Sequence, residues 1–219
     1  MWNLNNKTVV ISGATNGIGK AAAIELFKEN PELLFTYRNQ SLADELLAEI
    51  KDISPSTQVQ SVYCDFSDQD SIKKCTNEIN DLCANIDVLI NNAGVVNTSY
   101  HETDEGIENT FAVNHLGYFL FTNLLLQKLK GDDETRIVNV SSAAHSFVKE
   151  MQWENINFKN NFYENRASKV KMINNRSKLN QFAFQVSNPI IVFFRNFSLK
   201  ILTKNKKFLE NYLGKIYKN

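Results

Sequence analysis

The stretch Ser12-Gly13-Ala14-Thr15-Asn16-Gly17-Ile18-Gly19 decides the fold of this chain. It follows the apolar run 8–11, which predicts a buried strand, and it leads into residues 20–27, whose apolar side chains recur at helical spacing. Glycines between a strand and a helix let the backbone bend tightly and approach a ligand closely. The N–H groups and positive dipole of the helix N-terminus then face that ligand. The stretch therefore predicts a phosphate-binding turn.

The glycines follow the spacing G-x-x-x-G-x-G, at Gly13, Gly17 and Gly19, and not the G-x-G-x-x-G of the commoner dinucleotide fingerprint. The chain has only eight glycines, so their clustering directly after a strand is a specific signal. An ordinary glycine-rich strand–helix turn is the alternative, because such motifs depend on their context. The rest of the chain supplies that context.

Length and composition indicate a folded globular protein. The 219 residues are enough for one domain with a sizeable core, so we expect a single domain over 1–219 with a basic tail at 195–219. Hydrophobic content is 43% and charged content 22%, which is ordinary for a globular chain. The formal net charge is zero, which gives no reason to expect a nucleic acid partner.

Neither the first residues nor the cysteines point to secretion. The start lacks a basic segment followed by an apolar stretch, and no apolar run approaches the roughly 18 residues of a spanning helix. The three cysteines are an odd number without a C-x-x-C pair, so neither a disulfide framework nor a metal site is expected. We expect a cytoplasmic protein with reduced thiols.

Alternating strand and helix patterns follow the glycine-rich turn. Four further strands are predicted at 32–37, 58–64, 87–90 and 136–140. Helices are predicted at 20–27, 41–53, from a cap at Ser67 to about 84, and from 104 to about 129. The last of these has so many apolar positions that we expect it to be buried on more than one side. The pattern predicts an α/β fold, a Rossmann-type doubly wound parallel sheet in three layers, with ligands at the carboxyl ends of the strands.

The pattern weakens beyond residue 145. Residues 153–171 read as a polar loop or a partly helical lid, 177–186 as a helix, and 189–194 as a sixth strand. The basic tail at 195–219 also carries large apolar side chains, so it is interpreted either as a solvated helix over the sheet edge or as a segment that contacts an acidic membrane surface. The solvated helix is the interpretation we favour.

Five ordered motifs carry a family likeness. They are the glycine-rich turn, Asp65 after the third strand, Asn91-Asn92-Ala93-Gly94 after the fourth, Asn114-His115-Leu116-Gly117 within the long helix, and Asn139-Val140-Ser141-Ser142 after the fifth. Together they resemble the short-chain dehydrogenase/reductase family. Asn139–His145 and Asn175–Leu179 look most like the retinol dehydrogenase and WW-domain oxidoreductase group. The likeness covers roughly residues 7–186.

The resemblance implies hydride transfer between a nicotinamide dinucleotide and a lipophilic carbonyl or alcohol. In its catalytic set, Ser142 hydrogen-bonds the substrate oxygen, Asn114 holds a water in a proton relay, and Lys178 binds the nicotinamide ribose. The implied cofactor-binding set is Gly13, Thr15, Asn16, Gly17, Ile18, Gly19, Arg38, Asp65, Asn91, Ala93, Gly94 and Lys178. Asp65 is implied to contact the adenine, and the residues after the fourth strand to form a wall beside the cofactor.

One catalytic residue departs from the family pattern. The family's acid/base is a tyrosine four residues before the lysine, and Asn174 stands there before Lys178. In the only similar register, before Lys169, the residue is Asn165, and none of the seven tyrosines has a lysine four residues later. An amide does not exchange a proton near neutral pH. A substitute tyrosine, Tyr163 from the neighbouring loop, is the less favoured alternative because such sites need rigid placement.

The chain after the sixth predicted strand also departs from the family. Residues 190–194 lead directly into the basic tail, with no Pro-Gly pair and without the family's substrate-covering helices and closing strand. We therefore expect the lid and closing strand to be missing or altered, which affects substrate binding more than cofactor binding. A truncated gene product and a specialised function both account for this pattern.

The end of the second strand favours NADP(H) over NAD(H). Tyr37, Arg38 and Asn39 stand where an Asp or Glu would bind the ribose 2′-OH of NAD. A guanidinium suits a 2′-phosphate through charge-assisted bonds, although an exposed, solvated arginine is the alternative. Two functions stay open: an NADP(H)-dependent short-chain oxidoreductase, and a cofactor-binding pseudoenzyme or fragment without turnover.

Overall fold

The computed structural model describes residues 3–53, 58–129, 134–142 and 153–157. One compact unit runs to Ser141 and takes in Asn157, while Ser142–Ile156 belongs to a second unit. In the second unit the described structure is a short 3-10 turn at Trp153–Asn155. A single domain over 1–219 stays a prediction.

Strands and helices alternate through the first unit. The strands are β1 (Thr8–Ile11), β2 (Glu32–Tyr37), β3 (Val59–Tyr63), β4 (Val88–Asn91) and β5 (Arg136–Asn139). The helices are α1 (Gly17–Phe27), α2 (Gln40–Ile53), α3 (Gln69–Leu82), α4 (Asn109–Phe111) and α5 (Gly117–Leu125), with a π-helical turn at Ala112–Leu116 between the last two and a 3-10 turn at Leu126–Lys128.

The five strands form one parallel sheet in the order β3-β2-β1-β4-β5. The order reverses direction at β1 and β4, and in such sheets ligands bind in the crevice at the carboxyl ends beside this switch point. The predicted α/β, doubly wound architecture is confirmed. The sixth strand expected at 189–194 lies outside the described residues.

A separate apolar core covers each face of the sheet. On one face, side chains such as Val10 and Leu89 pack with α3 and α5, and on the other, Val9 and Ile11 pack with α1 and α2. This alternation follows from the period of two along a strand, which sends neighbouring side chains to opposite faces. The result is the helix–sheet–helix layering that near-continuous apolar strands predict. Among the described residues, no helix is both long enough and apolar enough to cross a membrane.

Two local predictions about helix starts were wrong. The N-cap of α3 is Asp68, whose side chain accepts from the Asp70 N–H, because Ser67 instead donates its hydroxyl to Asp65. The long helix begins at Asn109 rather than 104, since Gly106 turns the chain at φ +75° and the Glu108 carboxylate caps the first turn.

The long helical segment is also less buried than its sequence suggests. Phe121 and Leu125 lie in the core, but Phe119 is 66% exposed and Leu124 is 39% exposed. The π-helical turn rotates the residues that follow it relative to a continuous α-helix, so the apolar face read from the sequence does not match the buried face. The expectation of burial on more than one side was therefore wrong for α5.

Candidate functional site

A groove of about 480 Å³ opens at the carboxyl ends of the strands. Its size lies in the range of small-molecule and cofactor sites. The residues that line it come from the glycine-rich turn and from the segments after β2, β3, β4 and β5, and they include Gly13, Thr15, Asn16, Ile18, Gly19, Arg38, Asp65, Ala93, Gly94 and Val140. Most of the residues predicted to bind the cofactor therefore come together in one place.

Two of the three glycines are required by close packing. A Cβ on Gly19 would lie 2.2 Å from the carbonyl oxygen of Gly13, and one on Gly13 would lie 2.6 Å from the Cα of Ala93. Gly13 also has φ +66°, a left-handed conformation that costs other residues strain. Gly17 has φ +55° but no atom near its missing Cβ, so its requirement is conformational only.

Hydrogen bonds of Ser12 and Asn92, together called the Ser12–Asn92 lock, hold the glycine-rich turn against the end of β4. The Ser12 hydroxyl accepts from the N–H groups of Asn92 and Ala93, at 2.9 and 3.0 Å. The Asn92 side-chain amide donates to the carbonyl oxygens of Ser12 and Gly13, both at 3.0 Å. Both residues stand in predicted motifs, but neither was assigned a binding role. Since the bonds run between side chain and distant backbone, the only signal for them was polar residues directly after two apolar strands.

The start of α1 faces the groove. Asn16 is the N-cap, and its side chain accepts from the Gly17 N–H at 2.7 Å. Ile18, in the first turn of the helix, is 75% exposed and lines the groove. A helix N-terminus directed at a groove favours an anion there, because its first N–H groups and its dipole are positive.

The second cationic feature is Arg38, beside the end of β2. Its side chain is 61% exposed, and its guanidinium lies 3.9 Å from the Asp65 carboxylate. Asn39 follows, and its side-chain oxygen accepts from the Leu42 N–H at 3.3 Å, so α2 also begins at this end of the groove. Arg38 and the N-terminus of α2 therefore make this end electropositive.

Asp65 is held in a fixed orientation after β3. Its carboxylate accepts from the Ser67 N–H at 2.9 Å and from the Ser67 hydroxyl at 2.6 Å, while its own N–H donates to the Ser71 hydroxyl. This arrangement leaves the carboxylate facing the groove as a hydrogen-bond acceptor. A hydrogen bond with Cys75 and burial raise the pKa of the neighbouring Cys64 thiol above its ordinary value, which favours the protonated form.

Asn91 and Asn114 fix the walls rather than face the groove. Asn91 is buried, and its side-chain amide donates to Thr122 at 2.9 Å and to Asn139 on β5 at 2.7 Å. The Asn114 side chain pairs with the backbone of Val95, accepting from its N–H and donating to its carbonyl oxygen, both at 2.8 Å. Asn114 lies in the π-helical turn, and both polar atoms of its amide are engaged.

Of the other predicted catalytic residues, the structure describes Ser142. Ser142 is exposed and follows β5 by three residues, at the beginning of the second unit. Lys178, Asn174, Asn165 and Tyr163 lie outside the described residues. The assignment of the catalytic residues therefore stays a prediction.

The sheet order, the glycine-rich turn at its switch point and the electropositive groove above it define a protein of the dinucleotide-binding α/β class. A family model for the short chain dehydrogenase matches residues 7–154. The chain belongs to the short-chain dehydrogenase family.

Individual relatives agree with this. Retinol dehydrogenase 13 of Homo sapiens is 35% identical over 162 residues, which are 74% of this chain and 49% of that protein. Retinol dehydrogenase 11 of Homo sapiens is 41% identical over 142 residues, 65% of this chain and 45% of that protein. The chain is thus close to the retinol dehydrogenase group, as its motifs predicted, and spans about half the length of these relatives.

A solved structure supports the fold independently. An uncharacterized protein from Mycobacterium Paratuberculosis superposes with a TM-score of 0.60 at 31% sequence identity, over 72% of this chain and 53% of that one. The matched portion is again about half of the other chain.

Proposed function

We propose that this chain binds NADP(H) and acts as an oxidoreductase that transfers hydride between the nicotinamide and a lipophilic carbonyl or alcohol. The observation that carries the proposal is the electropositive end of the groove, where Arg38 and the N-terminus of α2 meet after β2. Family membership supports a nicotinamide dinucleotide as the cofactor. The choice between its two forms rests on Arg38.

The 2′-phosphate distinguishes NADP(H) from NAD(H), and this end of the groove suits it. Arg38 is exposed enough to reach a ligand and is held near the groove by Asp65 at 3.9 Å. A guanidinium binds phosphate through two parallel charge-assisted bonds. No carboxylate follows β2 directly, since the chain there reads Tyr37, Arg38, Asn39, and the Asp65 carboxylate beside this position is paired with the Arg38 guanidinium.

Replacement of Arg38 tests the cofactor preference. Arg38→Ala is expected to weaken NADPH binding about tenfold to a hundredfold, because charge-assisted hydrogen bonds contribute about 1.5 to 3 kcal/mol. NADH, without the phosphate, should bind the variant nearly as well as it binds the wild type. Fluorescence titration of both cofactors measures this. Arg136→Ala is the control, because Arg136 is an exposed arginine at the opposite end of the sheet.

Equal losses for the two cofactors in Arg38→Ala would contradict the assigned role of this side chain. They would leave Arg38 as a solvated surface residue, and the cofactor preference would need another explanation. Equal affinity of the wild type for NADPH and NADH would contradict the preference itself.

The chemistry follows from family membership and the predicted residues. NADP(H), when bound, supplies or accepts the hydride. Ser142 would donate a hydrogen bond to the substrate oxygen, and Lys178 would hold the nicotinamide ribose. Asn114 would hold the water of the proton relay, as the resemblance implies, and both polar atoms of its side chain bind Val95 in this structure. A lipophilic substrate is supported by the retinol dehydrogenases among the relatives, whose names specify such an alcohol.

The second candidate is a cofactor-binding protein without turnover. It is favoured by Asn174, which stands where the acid/base tyrosine is expected. Positioned acid/base catalysis contributes roughly 10²- to 10⁴-fold, so its loss raises the barrier by about 3 to 5 kcal/mol. Binding and catalysis can be tested separately in this chain, because the described residues that line the groove all precede 141.

One pair of measurements distinguishes these functions. NADPH binding is followed by fluorescence, and reduction of a panel of lipophilic aldehydes and ketones is assayed for the wild type and Asn174→Tyr. Asn165→Tyr is the matched control, since it places a tyrosine four residues before the other lysine, Lys169. Wild-type turnover at an ordinary rate excludes the second candidate. If the wild type binds NADPH without turnover and only Asn174→Tyr reduces the substrates, the second candidate is supported. Absence of NADPH binding rejects both candidates. The cytoplasmic location stays a prediction from the sequence.

A further inference from the structure

A second groove lies on the face of the sheet covered by α3 and α5, and it shares one lining residue, Phe66, with the cofactor groove. It has a volume of about 200 Å³ and runs between the start of α3, the loop 103–107 and the helical segment 112–120. Its floor is apolar, with contributions from Phe66, Ile72, Leu116 and Leu120. Of the described residues that were predicted to bind the cofactor, none lines it.

The groove is shaped by a glycine and rimmed by an exposed aromatic ring. A Cβ on Gly117 would lie 2.9 Å from the Phe66 ring, so the glycine lets the helix approach this ring and leaves room beside it. Phe119 lines the same groove and is 66% exposed. A large exposed aromatic side chain beside an apolar groove is typical of a protein interaction site.

The surroundings of the groove are acidic. Asp68, Asp70, Asp104 and Glu105 are exposed, at or next to the lining residues. Lys73 and Lys74 are cations near the groove, and Lys73 forms an ion pair with Asp70 at 2.9 Å. Asp68 and Glu105 also raise the pKa of Lys73, after the larger contributions of Asp70. The acidic charge around the groove therefore exceeds the basic charge.

We propose that this groove binds an amphipathic helix from a partner protein, with an apolar face and basic flanking residues. The helical residues that line it span 112–120, a length of about 12 Å at 1.5 Å per residue, which matches about two turns of a bound helix. Anchors at i, i+3 or i+4 and i+7 would contact the apolar floor. Lysines or arginines beside them would face the acidic rim. The inference is independent of the proposed oxidoreductase function.

Fluorescence anisotropy with two labelled synthetic helices tests the proposal on the full chain. Both helices have leucines at helical spacing, and their polar faces are lysine in one and glutamate in the other. The lysine helix is expected to bind saturably, at least about tenfold more tightly than the glutamate helix, and to weaken as salt is added. Equal binding of the two helices would overturn the proposal.

Two sets of variants locate the binding. Phe119→Asp is expected to weaken binding of the lysine helix about tenfold or more, and Asp104→Lys with Glu105→Lys to weaken it severalfold. Leu126→Asp is the matched control, since Leu126 is 55% exposed on the same helical segment but does not line the groove. Urea unfolding checks that each variant is folded. Unchanged binding by Phe119→Asp, or a wild-type dimer that this variant dissociates, would overturn the proposal, the latter by assigning the groove to a second copy.

Discussion

Strands β4 and β5 are neighbours in register, of equal length and similar sequence character, yet their environments differ. Leu89 on β4 and Ile137 on β5 are direct partners in the sheet, and Leu89 is fully buried while Ile137 is 44% exposed. All four residues of β5 are exposed, whereas three of the four on β4 are buried. The two strands therefore differ in burial and not in the character of their sequences.

The difference separates the two parts of the candidate site. The segment after β4 contacts the glycine-rich turn through Ser12 and Asn92 and the long helix through Asn114, so it is held from both sides. The segment after β5 carries Ser142, and among the described residues β5 pairs only with β4. The predicted cofactor wall thus follows a buried strand, and the predicted catalytic serine follows an exposed one.

Two matched substitutions to alanine, one in each strand, have the largest expected effect on this comparison. Leu89→Ala is expected to lower the free energy of unfolding by about 2 to 5 kcal/mol, because it removes a fully buried side chain and leaves a cavity. Ile137→Ala should cost less than about 1 kcal/mol, since nearly half of the side chain is already exposed. Urea unfolding of both variants measures the difference, and equal losses would mean that β5 is as well packed as β4.

The next largest effect is expected at the contact between the glycine-rich turn and the β4 segment. Gly19→Ala would place a Cβ 2.2 Å from the Gly13 carbonyl oxygen and 2.3 Å from the Asn92 side chain, so the turn must move. We expect a loss of stability of about 3 kcal/mol and a large loss of NADPH affinity. Gly106→Ala is the control, because it introduces left-handed strain at φ +75° outside the groove. NADPH affinity equal to that of the wild type in Gly19→Ala would disprove this account of the turn.

Asn92→Asp is expected to have a smaller effect at the same contact. The substitution keeps the shape of the side chain but replaces the donor to the Ser12 and Gly13 carbonyl oxygens with an acceptor. Unpaired buried polar groups cost about 1 to 3 kcal/mol, so urea unfolding should show a loss in that range, with weaker NADPH binding. Asn97→Asp is the control, because Asn97 donates only to the Asn109 side chain. A stability loss no larger than that of Asn97→Asp would contradict the proposal that these hydrogen bonds hold the turn against the β4 segment.

The smallest effect is expected at Tyr118, which packs against the core that contains Leu89 of β4. The pH dependence of stability tests the burial of this side chain. Burial raises the pKa of Tyr118 to about 12, against an ordinary value of about 10. Between these values the unfolded chain loses the phenolic proton while the folded chain keeps it, so stability falls as pH rises through this interval. Tyr118→Phe should make the alkaline decline shallower than in the wild type. Tyr63→Phe is the control, since Tyr63 is 50% exposed outside this core, and an identical decline in Tyr118→Phe and the wild type would contradict the assignment.

Most of the fold was predictable from local sequence. The bounds of β1 and β2 match the predicted runs, because continuous apolar residues between turn-forming ones have few other solutions. The buried face of the long helix was harder to predict, because the π-helical turn changes which residues face the core. The spacing of the apolar residues does not reveal this turn.

The site was predicted less completely than the fold. The motif residues at the strand ends do meet in one groove, as the parallel topology requires. The Ser12–Asn92 lock and the Asn114–Val95 pair were missed, because hydrogen bonds between a side chain and a distant backbone depend on exact spacing in three dimensions. The ion pair between Arg38 and Asp65 joins residues that were predicted separately, and no local pattern links them.

The π-helical turn at Ala112–Leu116 also sets how this chain tolerates insertions and deletions. A π-helical turn holds one more residue than an α-helical turn needs, so removal of one residue from it would leave a continuous α-helix. Gly117 would then still face Phe66, and Phe121 would stay in the core it occupies. A one-codon deletion in this turn would therefore keep the packing of the residues after it, whereas the same deletion within α5 would rotate everything after it by about 100° around the helix axis.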